Sequence, residues 1–75
     1  MSNLKYPLPG DIYCHYKGGT YEIVSMATHT ETGEKLVVYK SLNFGSVYVR
    51  PYEIFSDYVI TDNEKMKRFE KQKFV

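Results

Sequence analysis

The run His15-Tyr16-Lys17-Gly18-Gly19-Thr20-Tyr21 constrains this chain more than any other. Glycine adopts positive φ without the penalty that a Cβ brings, so a glycine pair between two aromatic, strand-prone segments specifies a sharp reversal. The same run sets a histidine, a lysine and several tyrosines close together. A glycine pair can also present backbone amides to an anion. Phosphate loops, however, open a helix, and Gly18-Gly19 opens a strand. The pair is therefore read as a hairpin turn.

Punctuation elsewhere agrees with a chain of short strands. Pro7, Pro9 and Gly10 give an irregular lead-in over residues 1–10, and the ordered body is expected over 11–69. Ile12 to Tyr16 reads as one strand and Thr20 to His29 as a second. The apolar positions of the second shift face between Ile23 and Val24, which predicts a bulge near Val24–Ser25. Thr30 to Glu34 is polar with Gly33 placed for a turn. Lys35 to Ser41 contains Leu36-Val37-Val38-Tyr39, apolar on both faces, and is expected to be the central strand. After a turn at Leu42–Gly45, Ser46 to Arg50 alternates, with Tyr48 and Arg50 on one face. Pro51 to Phe55 suits a single helical turn. Tyr58 to Thr61, an Asp62-Asn63 turn and a last strand over Met66 to Phe69 complete the body. Five to six short antiparallel strands with one helical turn near 51–55 predict an all-β fold, a small SH3-like barrel.

Length limits what such a fold can do alone. Seventy-five residues leave room for one core, and a core of that size contributes no more than about 3–5 kcal/mol. Cys14 is the single cysteine, so no internal disulfide can help. A homo-oligomer is the expected remedy. The absence of a long apolar run or an apolar leader, together with the lone thiol, points to a cytoplasmic protein without a membrane partner.

Charge is uneven although the net is +1. Residues 1–63 carry five basic and seven acidic groups, whereas residues 64–75 carry five basic and two acidic. The C-terminal tail, residues 70–75, could touch phosphates or simply be solvated.

The chemistry that these residues support is limited. Cys14 and His15 are strand neighbours and point to opposite faces, which argues against a thiolate–imidazole pair. Neither cysteine and histidine spacing nor the scattered carboxylates match a metal site, and no cofactor is expected. No catalytic residue is assigned. What remains is a polar, aromatic surface assembled from His15, Lys17, His29, Tyr39, Tyr48 and Arg50. Arginine grips phosphate or carboxylate in a fork, while histidine and tyrosine add directed hydrogen bonds. The expectation is a non-enzymatic protein holding a small anionic or nucleotide-like ligand, with a pocket that could lie at a subunit interface. The alternative is a module that binds a protein or single-stranded RNA through the barrel surface and the basic tail.

Tyr13-Cys14-His15-Tyr16-Lys17-Gly18-Gly19, Tyr21-Glu22-Ile23, His29-Thr30-Glu31-Thr32-Gly33-Glu34, Leu36-Val37-Val38-Tyr39 and Val49-Arg50-Pro51 with Phe55 resemble, in order, the bacterial and phage family catalogued as domain of unknown function 1653. The resemblance covers roughly Gly10 to Phe69. It implies a small, compact, mostly β protein and brings no established activity. That family typically has arginine where this chain has Cys14, which implies that this side of the first strand faces solvent and that His15 faces inward.

Overall fold

The computed structural model describes residues 6–72. Seven strands and one helical turn follow in the order β1 Ile12–His15, β2 Thr20–Thr28, β3 Lys35–Ser41, β4 Val47–Pro51, α1 Tyr52–Phe55, β5 Tyr58–Thr61, β6 Glu64–Lys67 and β7 Phe69–Lys71. All pairings are antiparallel. The all-β character and the turn of helix near 51–55 are as the sequence implies. Closure is not: five strands form an open sheet in the order β4-β3-β2-β1-β7, and β5-β6 is a separate two-stranded sheet.

Local chemistry accounts for each reversal. Between β1 and β2, Gly18 and Gly19 have φ of 101° and 91°, and the Gly18 N–H donates to the His15 carbonyl at 2.8 Å. Ile23 pairs with Tyr39 while Ser25 pairs with Val38, so Val24 is the extra residue of the anticipated bulge. Asp62 and Asn63 have φ of 51° and 65°, the two left-handed positions of the tight turn that joins β5 to β6. Pro51 caps α1, and the Ser56 hydroxyl closes its far end by donating to the Tyr52 carbonyl at 2.8 Å.

The expected last strand, Met66 to Phe69, is broken at Arg68, which raises the strand count to seven. The Arg68 N–H donates to the Asp57 carbonyl, whereas the Arg68 carbonyl accepts from Tyr16. Its side chain meets Asp57 at 2.6 Å. The chain turns a corner there, leaving the β5-β6 hairpin and joining the sheet beside β1. This carries the ordered strand to Lys71, which sits 3.6 Å from Asp11. The remainder of the basic tail, 73–75, lies outside the described residues.

The core is small. Ile23, Val37, Tyr39, Phe55 and Phe69 are buried, and Tyr13, Tyr21, Met26 and Tyr52 pack around them. Phe55 and Phe69 stack with centroids 4.2 Å apart and planes 10° off parallel. The centre of the sheet is β2 rather than β3. On β3, Val37, Tyr39 and Ser41 are buried while Leu36 and Val38 are half-covered. Its apolar run thus reflects one buried face and one partly shielded face.

Candidate functional site

One face of the sheet gathers the polar aromatic residues. In β1, alternation directs Tyr13 and His15 to the same side. Across the hairpin Tyr21 pairs with Tyr13, and on the other flank Phe69 pairs with His15. Further along the sheet Tyr48 lies opposite Tyr39, and Arg50 opposite Val37. These residues enclose an open cleft of about 330 Å³ lined by His15, Lys17, Gly18, Tyr21, Tyr39, Tyr48, Arg50 and Phe69.

The cleft has an aromatic floor and a cationic rim. Tyr39 and Phe69 are buried beneath it, and Tyr48, nearly half exposed, forms its outer wall. Tyr21 meets Tyr39 edge-on at 5.4 Å and Phe69 at 5.7 Å. Gly19 makes room for the Tyr21 ring, because a Cβ there would stand 3.2 Å from its hydroxyl. The Arg50 guanidinium lies 5.4 Å from the Phe69 ring centroid, a distance at which the ring face attracts the cation. The Lys17 ammonium stands 5.8 Å from the Tyr16 ring.

Charge in the cleft is one-sided. Among the described residues the ion pairs are Arg68 with Asp57 and Lys71 with Asp11. Arg50 and Lys17 therefore face the cleft without a carboxylate partner. Burial lowers the pKa of His15, and the positive charges of Arg50, Arg68 and Lys17 lower it further. Its Nδ1 accepts a hydrogen bond from the Lys17 N–H at 3.1 Å, which leaves Nε2–H as a donor on the neutral ring. Burial pushes the Tyr39 phenol up, and Arg50 acts in the opposite direction. The Tyr39 hydroxyl is therefore a neutral donor at neutral pH.

Five of the six candidate residues thus come together: His15, Lys17, Tyr39, Tyr48 and Arg50. His29 does not. It follows β2 in the turn to β3, where its Nδ1 accepts from the Glu31 N–H at 3.1 Å. That places it roughly 25 Å along the strand from Tyr21, and it serves the turn. Sequence reasoning missed Tyr21 and Phe69. Tyr21 was within reach, since a tight turn at Gly18-Gly19 pairs it with Tyr13. Phe69 enters through the pairing of β7 with β1, a contact between chain ends that local pattern does not reveal.

Two other hollows are less coherent. One of about 130 Å³ lies between Pro7, Tyr13, Tyr52 and Phe55. The other, about 430 Å³, is bordered by Tyr6, Tyr52, Glu34, Lys35 and Glu53, where two carboxylates face a single lysine. No group of three or more metal-ligating side chains gathers among the described residues. No helix among them is long and apolar enough to cross a membrane.

Comparison with known proteins gives a consistent picture. Residues 11–71 match the family model described as Protein of unknown function (DUF1653). A crystal structure of a DUF1653 protein from Bordetella bronchiseptica is similar, with a TM-score of 0.72 and 31% identity, covering 89% of this chain and 85% of the other. No curated protein matches.

Proposed function

This chain belongs to the DUF1653 family, and from that premise we propose that it is a non-enzymatic binding protein whose cleft holds a small anionic or nucleotide-like ligand. The observation that carries the reading is the convergence of Arg50, Lys17 and His15 over a tyrosine-rich floor with no carboxylate facing them. An arginine in that setting forks onto a phosphate or carboxylate. The neutral His15 Nε2–H and the tyrosine hydroxyls add directed donors, and the exposed Tyr48 ring offers a stacking surface for a base. A cleft of about 330 Å³ is at the small end of ligand sites, which favours a mononucleotide over a longer chain. The reading takes the protein to act in the cytoplasm.

Binding through the basic tail has weaker support. Arg68 and Lys71 are both engaged by acidic neighbours, Asp57 and Asp11.

Calorimetric titration with adenosine monophosphate, adenosine and sulfate tests the proposal. Saturable binding of the monophosphate, with adenosine and sulfate each weaker, is expected. Arg50→Ala should weaken the monophosphate about 10- to 100-fold, the loss of one or two charge-assisted hydrogen bonds. The proposal fails if Arg50→Ala and His15→Ala leave nucleotide binding and thermal stability unchanged.

A further inference from the structure

The open sheet leaves β4 as a bare edge, and its hydrogen-bonding phase can be read from the turn before it. The Ser41 N–H donates to the Ser46 carbonyl at 2.8 Å, so Ser46 directs its backbone groups toward β3. With Tyr39 opposite Tyr48 and Val37 opposite Arg50, Tyr48 and Arg50 do likewise, because hydrogen-bonded and non-bonded pairs alternate in an antiparallel ladder. Val47 and Val49 consequently point their N–H and C=O groups outward. Pro51, next in that phase, has no N–H to offer.

We propose that β4 is a self-association edge, at which two copies of this chain pair β4 to β4 about a two-fold axis through Tyr48. This register sets Val47 opposite Val49 of the second copy and forms four backbone hydrogen bonds. A register centred on Val49 would form as many bonds but put Pro51, which has no N–H, opposite Val47 and leave both Val47 carbonyls without a donor. The two five-stranded sheets become one continuous sheet.

Several features favour a second copy as the occupant. Natural sheet edges are protected by charge, proline or brevity. The opposite edge, β7, has three residues including Glu70 and Lys71, whereas Val47, Tyr48 and Val49 on β4 are uncharged and exposed. The edge is compatible with its own image: it carries no acidic group, and each Arg50 falls opposite Ser46. The two arginines are then about 13 Å apart along the strands, beyond the roughly 8 Å screening length at physiological salt. The pairing also brings the exposed Leu42 and Phe44 alongside the start of α1 in the second copy, where Ile54 is exposed. A five-residue edge with these few apolar groups lies at the small, reversible end of interfaces, under about 1,200 Å² in total.

Tyr48 is also the outer wall of the cleft, so the second copy's Tyr48 ring extends that wall. Pairing at this edge does not depend on what the cleft binds.

Sedimentation velocity from about 1 µM to about 500 µM covers the affinity range that a small edge contact reaches. A concentration-dependent shift toward twice the monomer mass is expected. Val49→Pro, which removes an outward N–H, and Val49→Lys, which charges the edge while retaining it, should both remain monomeric. The lysine variant decides the matter if the proline variant fails to fold. Register is tested in a Cys14→Ser background. Tyr48→Cys should oxidise to a disulfide-linked dimer, since a non-hydrogen-bonded pair has Cα atoms about 4.5 Å apart, within disulfide reach. Val49→Cys in the same background should not. A wild-type protein monomeric throughout, a dimer that survives Val49→Lys, or cross-linking at position 49 instead of 48 overturns the proposal.

Discussion

Replacing Phe69 by alanine should remove a large share of the stability of this protein. The ring is 4% exposed, is stacked on Phe55 at 4.2 Å, and meets the edges of His15, Tyr39 and Tyr21. A phenylalanine of this kind covers about 150–250 Å², worth about 4–6 kcal/mol at 25 cal/mol per Å². Measured Phe→Ala losses in cores centre on about 3–5 kcal/mol. A chain of this length has a total of about 4–11 kcal/mol at typical per-residue values. The truncation therefore consumes between about a quarter and all of it. The strand that presents Phe69 has only three residues, of which Phe69 alone is buried, so its ring supplies most of the apolar contact that holds β7 in place. The assay is urea denaturation followed by near-ultraviolet circular dichroism, where eight tyrosines report packing in a chain without tryptophan. Phe69→Leu, which keeps most of the volume, should lose about 1–1.5 kcal/mol. Phe44→Ala, at a ring 85% exposed, should change stability by less than about 0.5 kcal/mol. A Phe69→Ala protein within about 1 kcal/mol of wild type would refute the claim that the β7 anchor organises the core.

Gly19→Ala should destabilise more than Gly18→Ala. Both positions have positive φ, but only at Gly19 does an added Cβ meet a ring, Tyr21 at 3.2 Å; the backbone cost is about 1 kcal/mol in each case, and the ring displacement adds to it, as paired melting curves would reveal. The depressed pKa of His15 predicts the direction of the pH dependence. Below the unfolded value of about 6.5 the unfolded chain binds a proton that the native ring resists, so stability is full above that pH and declines as pH falls toward the folded pKa. Urea midpoints measured between about pH 7.5 and pH 5.5 should show this decline, and His15→Gln should flatten it. Sulfate, which does not titrate in this range, should reduce the decline by stabilising the protonated ring.

Local features were legible because local chemistry decides them. The Gly18-Gly19 reversal, the bulge at Val24, the Asp62-Asn63 turn and the helical turn after Pro51 each depend on a few neighbouring residues. Closure into a barrel is a property of both sheet edges, and nothing near β4 or β7 encodes whether they meet. The corner at Arg68 escaped for a related reason: its partners, Asp57 and Tyr16, are distant in sequence. The cleft divides in the same way. His15, Tyr39, Tyr48 and Arg50 follow from alternation once strand order is guessed, and Lys17 follows from the turn. His29 lies outside the cleft, and its sequence position does not reveal this because a histidine at a strand end looks the same whether it faces a cleft or braces a turn. Phe69 reads as an ordinary final-strand residue in sequence, and only the pairing of β7 with β1 places it under the cleft.

The most direct test of the cleft as a ligand site is a nuclear magnetic resonance titration of isotopically labelled protein with adenosine monophosphate, followed at the Gly18 amide, the His15 ring and the Arg50 Nε–H. Saturable shifts confined to these groups and to Tyr21, Tyr39 and Tyr48 are expected, with a dissociation constant below about 1 mM, and with their loss in Arg50→Ala. Shifts scattered over the surface or centred on the basic residues after Glu64, or none up to several times about 1 mM, would contradict binding in the cleft.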